Sequence, residues 1–139
     1  MPARPAASRR TVLRGAALTP VAGLGLTACG RTEEGPARPT GPVELGPENE
    51  VAEEGAKLYR DHNVVVSRSA DGTLRAYDSV CTHAGCPINK LEGTKLICPC
   101  HGSEFDATTG KVLREPAVAP LKALTVEVRN GTMVAEPQA

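Results

Sequence analysis

The chain of 139 residues has no tryptophan and few aromatic residues of any kind, at 2% of its composition. Its three aromatic side chains are Tyr59, Tyr77 and Phe105, so we expect a small hydrophobic core. A surplus of basic residues is also absent, because 16 Lys and Arg residues balance 16 Asp and Glu residues. This balance argues against nucleic acid as a partner, since neutralising phosphates requires an excess of positive charge.

The N-terminal segment lacks both acidic residues and a full-length membrane span. Residues 1–28 contain four arginines and no acid, and their uncharged part is the stretch 15–28. A transmembrane helix needs roughly 20 apolar residues, so this stretch is too short and has the length of a signal-peptide core. A buried amphipathic helix is the alternative, which Pro20 and the glycines near it disfavour. We therefore predict that residues 1–28 are an export signal.

Two short motifs make this prediction more specific. Residues 8–13 (SRRTVL) resemble the twin-arginine signal, which directs folded proteins to export. Residues 26–29 (LTAC) resemble a bacterial lipobox, which implies cleavage before Cys29 and a lipid on its sulfur; the alternative is an unmodified thiol. Residues 29–42 are rich in Gly, Pro and charge and predict a flexible linker. We expect a protein anchored by lipid at the outer face of the cytoplasmic membrane, or free in the periplasm or outside the cell.

Residues 43–137 have the composition of a domain built from short strands and turns. The 14 glycines and 12 prolines of the chain disfavour long helices. Apolar and polar residues alternate over 124–129, and Asn130-Gly131 follows, which is typical of a tight β-hairpin. Further reversals are indicated by similar turn pairs, Asp71-Gly72, Glu92-Gly93 and Thr109-Gly110. The sequence therefore predicts one all-β domain, an antiparallel β-sandwich.

The residues best suited to chemistry lie between these hairpins. Four of the five cysteines and two of the three histidines fall in two short segments, residues 81–86 (CTHAGC) and 98–103 (CPCHGS). Each segment contains a closely spaced Cys and His, and thiolates and imidazoles are common metal ligands. The sequence therefore predicts a metal centre presented by two loops.

The two segments together carry a resemblance to a known family. The pattern C-T-H-x-G-C followed by C-P-C-H-G-S is similar to that of Rieske iron-sulfur proteins, in which two cysteines hold one iron of a [2Fe-2S] cluster and two histidines hold the other. The resemblance implies that Cys81 and Cys98 bind one iron and that His83 and His101 bind the other. The fold that it implies is an antiparallel β-sandwich of Rieske type with a small cluster-binding subdomain.

The resemblance also implies a disulfide between Cys86 and Cys100 that links the two loops. Disulfides persist in oxidising compartments, which agrees with the predicted export signal. Rieske centres of oxygenases commonly lack this extra cysteine pair, so the resemblance places the chain in the respiratory, higher-potential branch. Two thiolates and two neutral imidazoles leave the oxidised centre uncharged, and it therefore accepts an electron more readily than a centre with four thiolates.

Residues after the second segment are expected to tune the reduction potential. Ser103 matches the family serine that donates a hydrogen bond to a bridging sulfide and favours the reduced state. The family tyrosine that donates to a ligand cysteine sulfur is replaced by Phe105, and Glu104 adds a negative charge beside it. We therefore expect a potential in the lower half of the disulfide-bearing group. Residues 115–120 (EPAVAP) stand where the family has a Gly-Pro-Ala loop that covers the cluster, with Glu115 in place of the glycine.

The residues favour electron transfer over catalysis. If His83 and His101 are ligands, only His62 remains as a neutral-pH base, and no nucleophile and base stand together. We predict a carrier that relays single electrons to a redox partner, such as a respiratory complex or a cytochrome. One alternative is a small subunit of an exported oxidoreductase similar to arsenite oxidase. Another is a zinc-stabilised binding module, which would leave Cys86 and Cys100 without a role.

Overall fold

The structure, a computed structural model, describes residues 38–139. These residues form ten strands and two 3₁₀ turns, Glu48–Glu50 and Arg60–His62. The strands are β1 (Val43–Pro47), β2 (Gly55–Tyr59), β3 (Val64–Arg68), β4 (Leu74–Asp78), β5 (Lys90–Glu92), β6 (Lys95–Ile97), β7 (Glu104–Asp106), β8 (Val112–Arg114), β9 (Ala123–Arg129) and β10 (Thr132–Pro137). The predicted export signal with Cys29, and residues 29–37 of the predicted linker, lie outside the described residues. Within 38–139, no helix has the length and hydrophobicity needed to cross a bilayer.

The strands form two antiparallel sheets. The larger sheet has the order β1-β10-β9-β4-β3-β2, and the smaller has the order β5-β6-β7-β8. This architecture confirms the predicted all-β antiparallel class. In the smaller sheet, β6 runs into the second Cys/His segment and β7 leaves it, so this sheet directly positions part of the site.

Local sequence accounts for the tightest turns. Asn130 and Gly131, between β9 and β10, both have positive φ, at 52° and 79°. A type I′ turn requires positive φ at both central residues, and Asn-Gly is the pair that adopts it most readily. Between β3 and β4, the Asp71 carboxylate accepts a hydrogen bond from the Thr73 backbone N–H at 3.0 Å. Both hairpins therefore form where the turn residues predict them.

Strand β3 is buried on both faces and divides the core into two clusters. Val64 and Val66 pack with residues of β1, β4, β9 and β10, whereas Val65 points to the opposite face, as alternation along a strand requires. The cluster on the Val65 side includes Phe105 and also Cys81 and Cys98. Two of the predicted metal ligands are therefore part of the hydrophobic core.

Gly110 holds the turn between β7 and β8 against the larger sheet. Its φ is +72°, and a Cβ at this position would lie 2.6 Å from the ring of Tyr77. The Gly110 carbonyl accepts a hydrogen bond from the Leu121 N–H at 2.8 Å. A residue without a side chain is needed here because the backbone both turns to the left-handed region and touches an aromatic ring.

Candidate metal centre

The two Cys/His segments fold into loops with the same hydrogen-bond pattern. We call residues 81–86 the first ligand loop and residues 98–103 the second ligand loop. In each loop, the backbone N–H of the first residue, a cysteine, donates to the carbonyl of the sixth residue. The carbonyl of the same cysteine accepts a hydrogen bond from the N–H of the fifth residue, a glycine. The bonds are Cys81 N–H to Cys86 O (2.8 Å), Gly85 N–H to Cys81 O (2.9 Å), Cys98 N–H to Ser103 O (2.8 Å) and Gly102 N–H to Cys98 O (3.1 Å). Both glycines have positive φ, at 78° and 76°, which explains glycine at that position of each loop.

A disulfide between Cys86 and Cys100 joins the two loops. This is the pair that the family resemblance implied. The sulfur atoms of Cys86, Cys98 and Cys100 lie within 4.8 Å of one another, but the disulfide removes two of them as ligands. Within this group, only Cys98 keeps a thiol that could bind a metal.

The free cysteines of the described chain are Cys81 and Cys98, and both are buried. Burial raises the pKa of the Cys98 thiol, and a side-chain hydrogen bond with Cys81 adds to the rise. Backbone N–H groups of Cys100 and His101 donate to the Cys98 sulfur and act in the opposite direction. A bound cation stabilises thiolates that burial would otherwise keep protonated. The two N–H groups that donate to the Cys98 sulfur would stabilise its thiolate further. The sulfur side of the site therefore fits a metal centre.

The two histidines of the loops lie side by side at the surface. The ring centroids of His83 and His101 are 4.7 Å apart, with an angle of 85° between the ring planes, and both residues are exposed. Each loop thus supplies one buried sulfur and one exposed imidazole. Two sulfur and two nitrogen donors arranged in this way fit a Rieske-type [2Fe-2S] cluster.

Residues 115–120, which we call the cover segment, contact both ligand loops. The buried hydroxyl oxygen of Ser103 accepts a hydrogen bond from the Ala117 N–H at 3.0 Å. In the first loop, the Thr82 hydroxyl donates to the Ala119 carbonyl at 2.6 Å. The segment is therefore hydrogen-bonded to both ligand loops, and its role as a cover for the cluster stays a prediction.

Phe105 and Glu104, two of the residues expected to affect the potential, have different surroundings in the fold. Phe105 is fully buried and faces Leu96 across the small sheet, whereas the Glu104 carboxylate lies 3.6 Å from Lys95 Nζ and 3.7 Å from Arg114 Nη1. The two cations offset the negative charge of Glu104. The potential expected in the lower half of the disulfide-bearing group stays a prediction.

An ion pair between the buried Asp78 and the exposed Arg38 lies next to the first ligand loop and was missed from the sequence. The Asp78 carboxylate accepts hydrogen bonds from the Val80 N–H at 2.8 Å and from the Arg38 guanidinium at 3.0 Å. Burial raises the pKa of Asp78, although the Val80 N–H, Arg38 and Lys122 oppose the rise. The one feature of the sequence that could have indicated this contact is an acidic residue at the end of a core strand, three positions before Cys81.

Comparison with known proteins agrees with this site. The family model of the Rieske [2Fe-2S] domain matches residues 41–125. The cytochrome b6-f complex iron-sulfur subunit of Chlorobaculum tepidum is 34% identical over 95 residues, which cover 66% of this chain and 51% of that protein. Sulredoxin of Sulfurisphaera tokodaii is 44% identical over 86 residues, which cover 55% of this chain and 79% of that protein. The plasma membrane Rieske protein of Synechocystis PCC 6803 has a TM-score of 0.52 and 31% identity, covering 68% of this chain and 98% of that structure.

The chain belongs to the Rieske [2Fe-2S] domain family. The cofactor of this domain is therefore a [2Fe-2S] cluster, a redox group that carries one electron. The chain spans about half or less of the length of the cytochrome b6-f subunits that it matches.

Proposed function

We propose that this protein is an exported one-electron carrier, held at the outer face of the cytoplasmic membrane by a lipid on Cys29. When bound, the [2Fe-2S] cluster supplies reversible one-electron chemistry. Cys81 and Cys98 would hold one iron, and His83 and His101 would hold the other. The observation that carries the proposal is the division of these side chains into two buried thiols and two exposed imidazoles.

This division gives the site a protected side and an accessible side. The core around Cys81 and Cys98 keeps water from the sulfur ligands, whereas the imidazoles of His83 and His101 face solvent. A redox partner can therefore approach the imidazole edge without displacing any part of the fold. Val118 of the cover segment is 86% exposed, and an apolar side chain at this place can pack against the partner while water is excluded.

The disulfide supports a location outside the cytoplasm. A bond between Cys86 and Cys100 persists where the surroundings are oxidising, and residues 1–28 have the features of an export signal. The similarity to cytochrome b6-f iron-sulfur subunits favours a partner in a respiratory-type chain, such as a respiratory complex or a cytochrome. The predicted linker 29–42 would let the domain turn toward that partner while it stays near the membrane.

The proposed ligands can be tested against the third histidine as a matched control. We expect His101→Ala to lose the electron paramagnetic resonance signal of the dithionite-reduced cluster and most of its iron and sulfide. His62→Ala should keep all three, because His62 is exposed in the turn Arg60–His62. Full iron and sulfide content in His101→Ala would contradict the ligand set.

The proposed location is tested by fractionating cells that produce the full chain or its Cys29→Ala variant. The full chain should appear in the membrane fraction, and the variant should be released as an exported, cluster-containing protein. Equal distribution of the two would exclude lipid anchoring. Copurification with a catalytic subunit, instead of reduction by a respiratory complex, would favour the alternative of a small subunit in an exported oxidoreductase.

A further inference from the structure

A cleft lined mostly by polar and charged residues lies at the end of the small sheet that is remote from the ligand loops. Its volume is about 320 Å³, and its lining includes Arg68 at the end of β3 and Arg75 in β4. Thr94 and Thr108, from the turns β5–β6 and β7–β8, also line it. Thr94 precedes β6, whereas Cys98 follows it, so the cleft and the metal centre are separated by the length of that strand, roughly 13 Å.

The two arginines of the cleft have unused hydrogen-bonding capacity. The Nε atom of Arg68 is buried, and no protein atom in the described chain accepts its hydrogen. Arg75 is exposed and donates one long bond, of 3.4 Å, from Nη1 to the Thr108 carbonyl. Neither guanidinium forms an ion pair within residues 38–139. A buried, charged donor without an acceptor is unfavourable, and an anion in the cleft would remove this cost.

The charge and donors of the lining match an oxyanion. Glu54 is the single acid among the lining residues, so two arginines leave a net charge of +1. Hydroxyl groups of Thr94 and the buried Ser67 add neutral donors, whereas the Thr108 hydroxyl already donates to the Asp106 carboxylate. Guanidinium groups bind carboxylates and phosphates through paired N–H donors, and this bidentate geometry explains why arginine is preferred at such sites.

We propose that this cleft binds an oxyanion group, a phosphate or a carboxylate, of a small polar molecule. Arg68 supplies the buried Nε–H donor, and the exposed guanidinium of Arg75 supplies a second set of donors. The site is independent of the electron-transfer proposal, because none of its lining residues belongs to the ligand loops or the cover segment.

The proposal is tested by calorimetric titration of the full, cluster-containing protein with inorganic phosphate and, separately, with acetate. We expect saturable binding of at least one of the two anions, and the anion that binds identifies the source of the oxyanion. Each of Arg68→Gln and Arg75→Gln should weaken this binding about tenfold, the loss expected for one charge-assisted contact.

Arg114→Gln is the matched control, since it removes an exposed arginine elsewhere in the chain and should leave the affinity unchanged. The cluster spectrum of each variant verifies folding, and Arg75→Gln decides the result if Arg68→Gln does not fold, because Arg75 is exposed. The proposal is overturned if neither anion shows saturable binding. It is also overturned if Arg75→Gln binds as tightly as the unmodified chain, or if Arg114→Gln weakens binding equally.

Discussion

The hydroxyl oxygen of Ser103 accepts a hydrogen bond from the backbone N–H of Ala117 at 3.0 Å. This bond joins the second ligand loop to the cover segment, and both residues are buried. A hydroxyl that accepts one hydrogen bond still has its own hydrogen to donate. Ser103 can therefore hold the cover segment and, as the family resemblance implies, donate toward the cluster at the same time.

Ser103→Ala is expected to lower both the stability and the midpoint potential. The change leaves the buried Ala117 N–H without an acceptor, at a cost of about 1–3 kcal/mol, and it removes a donor that favours the reduced state. Denaturant titration and protein-film voltammetry measure the two effects. Ser79→Ala is the control, because the buried Ser79 hydroxyl has no hydrogen-bond partner in the described chain. An unchanged potential in Ser103→Ala would exclude Ser103 from tuning the cluster.

Phe105→Tyr is expected to raise the midpoint potential. The ring of Phe105 lies in the same core cluster as both buried cysteines, and a phenol hydroxyl there would add a donor for a ligand sulfur. Such a donor stabilises the more negative, reduced state. Phe105→Leu keeps the site apolar and should give no rise. Equal potentials for the tyrosine and leucine variants in protein-film voltammetry would show that the added hydroxyl does not reach the sulfur.

The double variant Cys86→Ser/Cys100→Ser is expected to be less stable by about 3 kcal/mol. The disulfide closes a loop in the chain, which lowers the conformational entropy of the unfolded state and so stabilises the folded state. Denaturant unfolding followed by circular dichroism gives the difference. Dithiothreitol should lower the stability of the unmodified chain but should not change the stability of the variant. If the reductant affects both proteins alike, its effect does not arise from this disulfide.

Gly110→Ala is expected to destabilise the domain by more than the cost of placing alanine in a left-handed backbone conformation. A left-handed conformation costs a non-glycine residue about 1–2 kcal/mol, and the added Cβ would also collide with Tyr77. Gly131→Ala is the matched control, because Gly131 also has positive φ but its Cβ would meet no atom within 4 Å. Thermal unfolding of both variants should show the larger loss for Gly110→Ala; equal losses would argue against the contact with Tyr77.

Arg38→Gln is expected to destabilise the protein more at neutral pH than in acid. The pKa of Asp78 is raised by burial, so the folded state binds a proton more readily than the unfolded state, and stability falls as pH rises through the folded pKa. Removing Arg38 raises the pKa of Asp78 further, and we expect a loss of about 1 kcal/mol at neutral pH.

Chemical unfolding of Arg38→Gln at several pH values measures this dependence. In acid, where Asp78 is protonated, the loss should shrink. In an Asp78→Asn background, Arg38→Gln should produce no pH-dependent loss. If the dependence persists in that background, it arises from a group other than Asp78.

The ligand loops show how far local sequence reaches. The Cys and His residues of 81–86 and 98–103 predicted two ligand-bearing loops, and the structure adds that the glycine of each loop adopts left-handed backbone. The Asn130-Gly131 turn was predictable because this pair readily adopts positive φ at both positions. In each case the determining interactions lie within six consecutive residues.

The amino-acid sequence by itself therefore determined the strand class, the turns and the family to which the metal centre belongs. Only the tertiary structure decided which charges meet: Glu104 with Lys95 and Arg114, and Arg38 with the buried Asp78. It also brought Arg68 and Arg75 to one cleft. Turn preferences follow from the dihedral angles open to each residue, whereas these contacts depend on which strands pair and how the two sheets pack, which no short segment specifies.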